Sequence, residues 1–455
     1  MNTTQAPVKV ITYGTFDMLH EGHLRLLRRA KALGDYLIVG VTTSSYDETR
    51  GKLNVRDSMM TRIANVQATG LADEVIIEDY EGQKINDIQQ HGAEIFAIGS
   101  DWLGKFDYLN DFCKVIYLER TAGVSSTQLR AEKLGIVRLG ITGTGSATNW
   151  FTDEALKVSG LEIESVFNTD AAIARDFAKS NSIQNHFSDY DDFLVSVDAV
   201  FIASPAQSHY RQIKRALESD VHVMCERPLT LSQEETAELY ALATERGKVL
   251  LEEIKTAYCP GFIRLVALAR SGLVGTVKCV DATYTRLTEG PRMNAPFGGS
   301  VSQLASTPLL AISKIIDSPL QDMQAATYPH PDDAVDEFSR INLRFDSSIS
   351  SITVGLGVES EGHLTVTGTR GTIYVPGPWW QTTDIFVRFP EPSRNQTFHF
   401  PFAGDGLRYA IAEFVSMIQN NRLNSYKMRP KDSLFISGVI EAFLQRQARG
   451  TSDSF

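Results

Sequence analysis

Short apolar runs that end in glycine set the rhythm of this chain. Val8-Lys9-Val10-Ile11-Thr12 reads as a strand that meets Gly14, and a helix should begin near His20. The same cadence returns at Val137–Thr142, a buried-strand pattern meeting Gly143-Thr144-Gly145 before a helix running through Thr152–Leu156. Leu161–Phe167 follows as a strand, and Val197–Pro205 as another buried strand closed by a Ser-Pro turn. Farther on, Gly272-Leu273-Val274-Gly275 leads into a strand, Leu364–Ile373 reads as two strands around a Gly-containing turn, and a helix over roughly Lys431–Ala448 closes the chain. Strand–turn–helix alternation predicts an α/β protein. No internal repeat or low-complexity tract interrupts it.

The first strand–turn–helix carries chemistry. Residues 14–23 read Gly-Thr-Phe-Asp-Met-Leu-His-Glu-Gly-His, so His20 and His23 share one face at the start of the helix. A helix N-terminus offers unpaired N–H groups and the positive end of a dipole, which suits phosphates. Two imidazoles beside that site can stabilise charge growing on a phosphate chain, the pattern of a nucleotidyltransferase. Residues 120–127, Arg-Thr-Ala-Gly-Val-Ser-Ser-Thr, precede the helical Gln128–Glu132, and hydroxyls of Ser125, Ser126 and Thr127 can cap that helix beside a second phosphate cradle.

Composition narrows the class. A chain of 455 residues suggests about three modules. A net charge of −11 argues against nucleic acid or an anionic membrane as partner. The four cysteines, Cys113, Cys225, Cys259 and Cys279, have no metal-type spacing, and a reduced cytoplasmic setting is expected. No apolar run approaches a transmembrane length, and no signal-peptide core opens the chain.

Over residues 8–132 the chain resembles the cytidylyltransferase family, glycerol-3-phosphate cytidylyltransferases in particular. The resemblance rests on Gly14–His23, Arg62 ahead of Ala72-Asp73-Glu74-Val75, Gly99-Ser100-Asp101-Trp102 with Gly104-Lys105-Phe106-Asp107, and Arg120–Thr127. It implies CTP as donor, Mg²⁺ as counter-ion, a phosphomonoester as acceptor and pyrophosphate as product. His20 and His23 would then donate to the α-phosphate and the departing pyrophosphate. Arg62 and Arg120 would hold phosphate oxygens with their planar donor forks, and Lys52 would close over the acceptor. Gly14, Thr15, Phe16, Asp17, Gly22, Gly99, Asp101, Thr121, Ser125, Ser126 and Thr127 would line the CTP site. A phosphomonoester is already nucleophilic at neutral pH, so positioning and charge neutralisation carry the rate.

Residues 136–450 resemble the glucose-fructose oxidoreductase/inositol dehydrogenase family. The features that carry this are the Gly143–Gly145 turn, the strand ending Ser204-Pro205 with His209 beyond it, Glu226-Arg227-Pro228, the Gly272–Gly275 turn and the final helix. The fold implied is an N-terminal Rossmann-like nucleotidyltransferase domain (1–133), a Rossmann NAD(P)-binding domain (136–252) and an α+β open-sheet substrate domain (253–455). Cofactor contacts would come from Gly143, Gly145, Asn168, Ser204, Pro205, His209 and Glu226. NADP(H) is favoured over NAD(H), because Asn168 stands where a carboxylate would repel a 2′-phosphate. The open sheet would be covered by another subunit, giving a homo-oligomer, in the simplest case a dimer.

Two departures matter. The family's Glu-Lys-Pro is Glu226-Arg227-Pro228 here, and its Asp-x-x-x-His is absent from Val301–Pro308. Arginine polarises a carbonyl but does not shuttle protons near pH 7. Lys255, Tyr258 and Tyr284 are the substitute donors, Lys255 first, with core packing the competing use of each tyrosine. The polar stretch Thr288–Ser300 and Pro376–Trp380 would rim the cleft. Joined in one chain, the two units suggest a bifunctional enzyme making a CDP-alditol (glucitol, ribitol or glycerol) for surface or capsular polysaccharide. The competing expectation is an alditol-phosphate cytidylyltransferase whose second half is a silent binding or dimerisation module.

Overall fold

The computed structural model describes residues 7–49, 52, 55–80, 82–118, 135–287, 298–329 and 335–448. Arg120, Thr121, Ser125, Ser126 and Thr127 lie outside the described residues, as does most of the stretch 288–300. The described strands form three sheets.

The first sheet contains β1 (Lys9–Gly14), β2 (Tyr36–Thr42), β3 (Glu74–Glu78), β4 (Ile95–Gly99) and β5 (Lys114–Leu118), in the order β3-β2-β1-β4-β5. All its pairs are parallel. Side chains alternate between its faces. Val10, Leu37, Val39 and Val41 pack with Leu27 and Ala30 of helix α1 (Glu21–Lys31) and with Val66 of helix α2 (Met59–Ala68). Ile11, Tyr13, Ile38, Phe96 and Ile98 form a second core with Ile88 and Leu109. The chain reverses its direction of travel across the sheet between β1 and β4, and a crevice outside the carboxyl ends of such a strand pair is where doubly wound sheets bind ligands. Gly14 ends β1 and Gly99 ends β4.

The second sheet contains β6 (Val137–Thr142), β7 (Leu161–Phe167), β8 (Asn185–Phe187), β9 (Ala199–Ile202), β10 (His222–Glu226) and β11 (Leu250–Glu253). Its order is β11-β10-β9-β6-β7-β8, so β6 and β9 flank the reversal. The strands are short and buried along most of their length, as expected when helices cover both faces. Helix α3 (Ser146–Ala155) leaves β6 through the glycine turn, and helix α4 (Ala206–Glu218) follows β9.

The third sheet is mixed and eight-stranded, in the order β13-β14-β15-β12-β16-β17-β18-β19. Its strands are β12 (Val277–Arg286), β13 (Leu320–Pro329), β14 (Asp336–Phe345), β15 (Ile349–Leu356), β16 (Leu364–Gly368), β17 (Thr372–Val375), β18 (Asp384–Arg388) and β19 (Gln396–His399). The pair β12–β15 is parallel and its other pairs are antiparallel. Helix α5 (Ser306–Ile315) is buried almost throughout, and its Lys314 reaches Asp432 of helix α6 (Pro430–Ala448) at 2.6 Å. The sequence expectation of two strands in Leu364–Ile373 and a last helix ending at Ala448 matches β16, β17 and α6.

Candidate active sites

The turn after β1 is held by side chains turned inward. Phe16 and Met18 both adopt positive φ, +50° and +47°, a conformation that costs energy and needs support from its surroundings. Asp17 supplies part of it. Its buried carboxylate accepts the amides of Arg56 (3.0 Å) and Asp57 (2.8 Å), while Asp57 in return accepts the Met18 amide at 3.0 Å. Phe16 sits in the core, and a Cβ on Gly14 would come within 3.0 Å of its ring. Thr15 donates its hydroxyl to Asp47.

Asp47 is the hub that the sequence does not reveal. It is 1% exposed, accepts both Thr15 and Thr42 hydroxyls, and pairs with Arg62 at 3.2 Å. Arg62 is fully buried and donates to the carbonyls of Thr15 (2.8 Å), Thr42 (2.9 Å) and Asp57 (3.2 Å). Arg62 is expected at phosphate oxygens, but the structure places it behind the motif. Its guanidinium braces the loop behind the motif instead of facing an open phosphate site, and the side chains of Thr15, Phe16 and Asp17 likewise serve the loop. What these residues can offer a nucleotide is backbone.

The two histidines occupy the start of α1 as expected. His20 is the N-cap, and its Nδ1 accepts the Gly22 amide at 3.1 Å, so that the Gly22 N–H is spent on the cap. His23 Nδ1 accepts the His20 amide at 3.5 Å, and the rings stack with centroids 3.9 Å apart. A neutral imidazole that accepts at Nδ1 carries its proton on Nε2. Burial, with the nearby charges of His20 and Lys52, holds the His23 pKa well below its ordinary value. The pair thus offers Nε2–H donors from rings that need not be charged. Lys52 lies close enough to influence His23, but its Nζ donates to the Leu156 carbonyl at 3.0 Å. Asp101 follows Gly99 in the 3-10 turn Ser100–Trp102.

A second constellation sits at the carboxyl ends of β6, β9, β10 and β11. Gly143 has φ +90°, and a Cβ there would meet the Ala203 carbonyl oxygen at 2.8 Å. Around Gly145 a Cβ would meet no atom within 4 Å. A tight turn that only glycine fits, open space beside it and the N-terminus of α3 fit a dinucleotide pyrophosphate. Thr148 closes the turn by donating to the Gly145 carbonyl at 2.6 Å. Asn168 accepts the Asp170 amide at 2.9 Å, and Asp170 caps the next helix through the amides of Ala172 and Ile173.

His209, expected at the cofactor, is turned toward backbone carbonyls. It is 2% exposed and its two ring nitrogens lie 2.7 Å from the Ser204 carbonyl and 2.9 Å from the Pro228 carbonyl, stapling the loops after β9 and β10. Burial lowers its pKa against both carbonyls, which favour the protonated ring. Ser204 donates its hydroxyl to Gln212, and Pro205 is the residue before α4. Glu226 ends β10.

Beyond β10, Arg227 is almost buried and lies 3.9 Å from Glu253. Its Nε and the Glu253 Oε1 are buried without a hydrogen-bond partner among the described residues. Burial drives the Glu253 pKa up to about 8 and that of Glu252 to about 7, with Arg227 pulling each the other way. Lys255, expected as a proton donor, makes a two-pronged ion pair with Asp405 at 2.9 and 3.0 Å. Tyr258 donates to the Glu252 carbonyl at 2.8 Å and is a core residue. Tyr284 stacks on Trp380 with centroids 4.3 Å apart and receives the Arg286 guanidinium at 3.4 Å. Trp379 is fully buried and donates to the Thr283 carbonyl, so the expected Trp rim reduces to Trp380.

The helix that would carry the missing Asp-x-x-x-His begins at Ser300, and the carboxylate present there comes from β14. Asp336 accepts the Ser300 hydroxyl and the Val301 amide and is fully buried, which makes it a helix cap. Sequence reasoning missed Asp47, Glu253 and Asp405. No local motif marks them, since each acquires its partners from distant segments.

Comparison with known proteins covers both constellations. A family model described as cytidylyltransferase-like matches residues 11–133, and one described as oxidoreductase family, NAD-binding Rossmann fold, matches residues 137–254. The glycerol-3-phosphate cytidylyltransferase of Bacillus spizizenii is 50% identical over 124 residues, 27% of this chain and 95% of that protein. The scyllo-inositol 2-dehydrogenase (NADP(+)) IolU of Bacillus subtilis is 26% identical over 320 residues, 67% of this chain and 95% of that protein. Among solved structures, the 3-ketoreductase KijD10 of Actinomadura kijaniata, in complex with NADP and TDP-benzene, superposes with a TM-score of 0.60 at 20% identity, covering 68% of this chain and 96% of its own. UDP-N-acetylglucosamine 3-dehydrogenase GnnA of Acidithiobacillus ferrooxidans gives 0.58 at 18% identity, covering 68% and 99%. At those identities the two structures establish a shared fold.

Proposed function

The chain belongs to the cytidylyltransferase-like family through residues 11–133 and to the NAD-binding oxidoreductase family through residues 137–254, and from this premise we propose that it makes a CDP-alditol in two steps. The first step joins CMP from CTP to a ketose or alditol phosphate and releases pyrophosphate. The second reduces the carbonyl of a ketose so attached. The candidate acceptors are fructose 6-phosphate, ribulose 5-phosphate and dihydroxyacetone phosphate, and the product would feed surface polysaccharide.

For the first step, the acceptor phosphate is the nucleophile and no base is required. His20 and His23 would donate from Nε2 to phosphate oxygens as negative charge moves toward the leaving pyrophosphate. Asp47 and Arg62 act behind them by fixing the loop that sets the start of α1. Mg²⁺, whose preferred ligands are phosphate oxygens and water, would arrive with the triphosphate. Arg120 and the hydroxyls of Ser125–Thr127 are proposed at the same phosphates, and Lys52 at the acceptor.

For the second step, bound NAD(P)H would supply the hydride. Gly143, Gly145 and the start of α3 would hold its pyrophosphate, and Asn168 leaves a 2′-phosphate unopposed, which favours NADPH. Arg227 would bind and polarise the substrate carbonyl. The buried Arg227 Nε and Glu253 Oε1, both without a hydrogen-bond partner among the described residues and beside the proposed cofactor cleft, are the observation that supports this half, because a bound substrate would give such polar groups partners. A nucleoside-diphosphate handle on the substrate is supported by KijD10, held with TDP-benzene, and by GnnA, named for a UDP-sugar.

Point variants test the division of labour. His23→Ala should lower pyrophosphate release by about 10²–10³ while leaving NADPH oxidation on pre-made CDP-ketose intact. Arg227→Ala should do the reverse. If either substitution lowered both rates together, the two steps would not belong to the two sites.

A further inference from the structure

The reduction leaves one chemical need unmet: a proton for the alcohol oxygen. Arg227 cannot give one, Lys255 is held by both oxygens of Asp405, and Tyr258 spends its hydroxyl on the Glu252 carbonyl. Tyr284 differs from these. It stands near the end of β12, 5% exposed, with its ring against Trp380, its hydroxyl accepts from Arg286, and two further elements bring positive charge to bear on it. Arg286, two residues on in β12, lies at 3.4 Å; Arg227, in the loop after β10, bonds to Tyr284 and stabilises its phenolate; and Lys255, in the turn after β11, is near enough to do so electrostatically. The acidic groups of the cluster are Glu226, Glu252 and Glu253 near Arg227, and Asp405 on Lys255.

We propose that Tyr284 is the proton donor of the carbonyl reduction and that Arg227 positions it, the pair taking over the work of the lysine absent from Glu226-Arg227-Pro228. The proposal rests on the reductase reading above. In the step, the carbonyl carbon accepts a hydride from the reduced nicotinamide, the C=O π pair moves to oxygen, and that oxygen takes the Tyr284 proton to become the alcohol. The substrate carbonyl is reduced and the nicotinamide is oxidised. The phenolate left behind lies among Arg227, Arg286 and Lys255 and regains a proton from water before the next turnover.

The electrostatics support this geometry. Burial alone would raise the Tyr284 pKa, yet Arg227, Arg286 and Lys255 together bring it below the ordinary tyrosine value. Most buried tyrosines shift the other way, as Tyr240 and Tyr258 do here. Glu253 does not cancel the guanidinium near pH 7, because burial keeps that carboxyl largely protonated. Positive charge beside Tyr284 therefore remains available to its phenolate.

Tyr284→Phe is the test, since it removes one hydroxyl and keeps the ring against Trp380. On full-length protein without cofactor, ultraviolet difference titration should show one tyrosine ionising below the usual range in the wild type. That component should vanish in Tyr284→Phe and move upward in Arg227→Met. With CTP, Mg²⁺, NADPH and each candidate ketose phosphate, Tyr284→Phe should lower kcat for NADPH oxidation by about a hundredfold or more, with pyrophosphate release and NADPH affinity unchanged. Wild-type rates should fall as pH rises through the Tyr284 ionisation, and the residual rate of the variant should lack that limb. A Tyr284→Phe enzyme that kept its kcat would overturn the donor assignment alone. A wild-type enzyme that oxidised NADPH with none of these substrates would overturn the reductase reading and the proposal with it.

Discussion

A buried group keeps whichever protonation state its surroundings can tolerate, and two residues of this chain show it in opposite directions. His23 is held neutral by burial, next to His20 and Lys52, so the native ring resists protonation that the unfolded chain accepts near the ordinary histidine value. Its contribution to stability is complete above that value and is lost as pH falls below it. Pyrophosphate release should accordingly stay level from neutral to mildly alkaline pH, a profile measurable at saturating CTP. Glu253 is the opposite case. Its folded pKa of about 8 lies above that of an unfolded glutamate, so the unfolded state sheds its proton first and stability falls as pH climbs from about 4.5 to 8. Glu253→Gln removes that term. Its melting temperature should gain on the wild type across that window and hold a constant lead above it; parallel melting curves at all pH values would refute the buried-acid assignment. The histidine pair was legible in the sequence because both rings lie within one turn of helix. Glu253 was not, because burial and an arginine 26 positions away in the chain make it unusual, and neither leaves a local signal.

Elements were more legible than individual roles. The two apolar runs that met glycine at Gly14 and Gly143 became strands feeding helices, since burial on both faces leaves little choice of residue. The glycines themselves make a sharper prediction. With φ +90° and a Cβ 2.8 Å from the Ala203 carbonyl, Gly143→Ala should distort the turn after β6. NADPH binding, followed by its fluorescence, should weaken at least tenfold, a loss of about 1.4 kcal/mol, while pyrophosphate release persists. A second element-scale lock joins α5 to α6. Lys314 is buried against Asp432, which also accepts from Ser313 and Arg429. Asp432→Asn would strand the buried ammonium and should cost about 3–5 kcal/mol in chemical denaturation, with a fully neutral pair such as Lys314→Met, Asp432→Leu recovering much of it. The brace formed by Asp47, Arg62 and Thr42 could not be read in advance. A buried arginine and a phosphate-binding arginine look the same in sequence, and only the parallel pairing of β1 with β2 brings Thr15, Thr42 and Arg62 together.

At the scale of the whole molecule, a cytidylyltransferase-like domain and an NAD-binding oxidoreductase domain share one acidic chain of 455 residues. The sequence revealed both halves through motifs at their strand ends. It could not reveal the reductive site, whose parts come from β10, β11, β12 and the segment around Asp405, and which departs from its family at the residues a motif search relies on. Fusion has a physical consequence. A site without the usual lysine and histidine needs its carbonyl placed closely, and the proposed CDP group would supply remote binding energy for that placement. The free ketose phosphate should therefore be a poor hydride acceptor. The direct measurement follows NADPH oxidation by the full-length protein with ketose phosphate and Mg²⁺, before and after CTP is added. Oxidation should begin only after CTP, lag behind pyrophosphate release, and proceed without CTP when CDP-ketose is supplied. Rapid oxidation of NADPH by ketose phosphate alone would contradict the account.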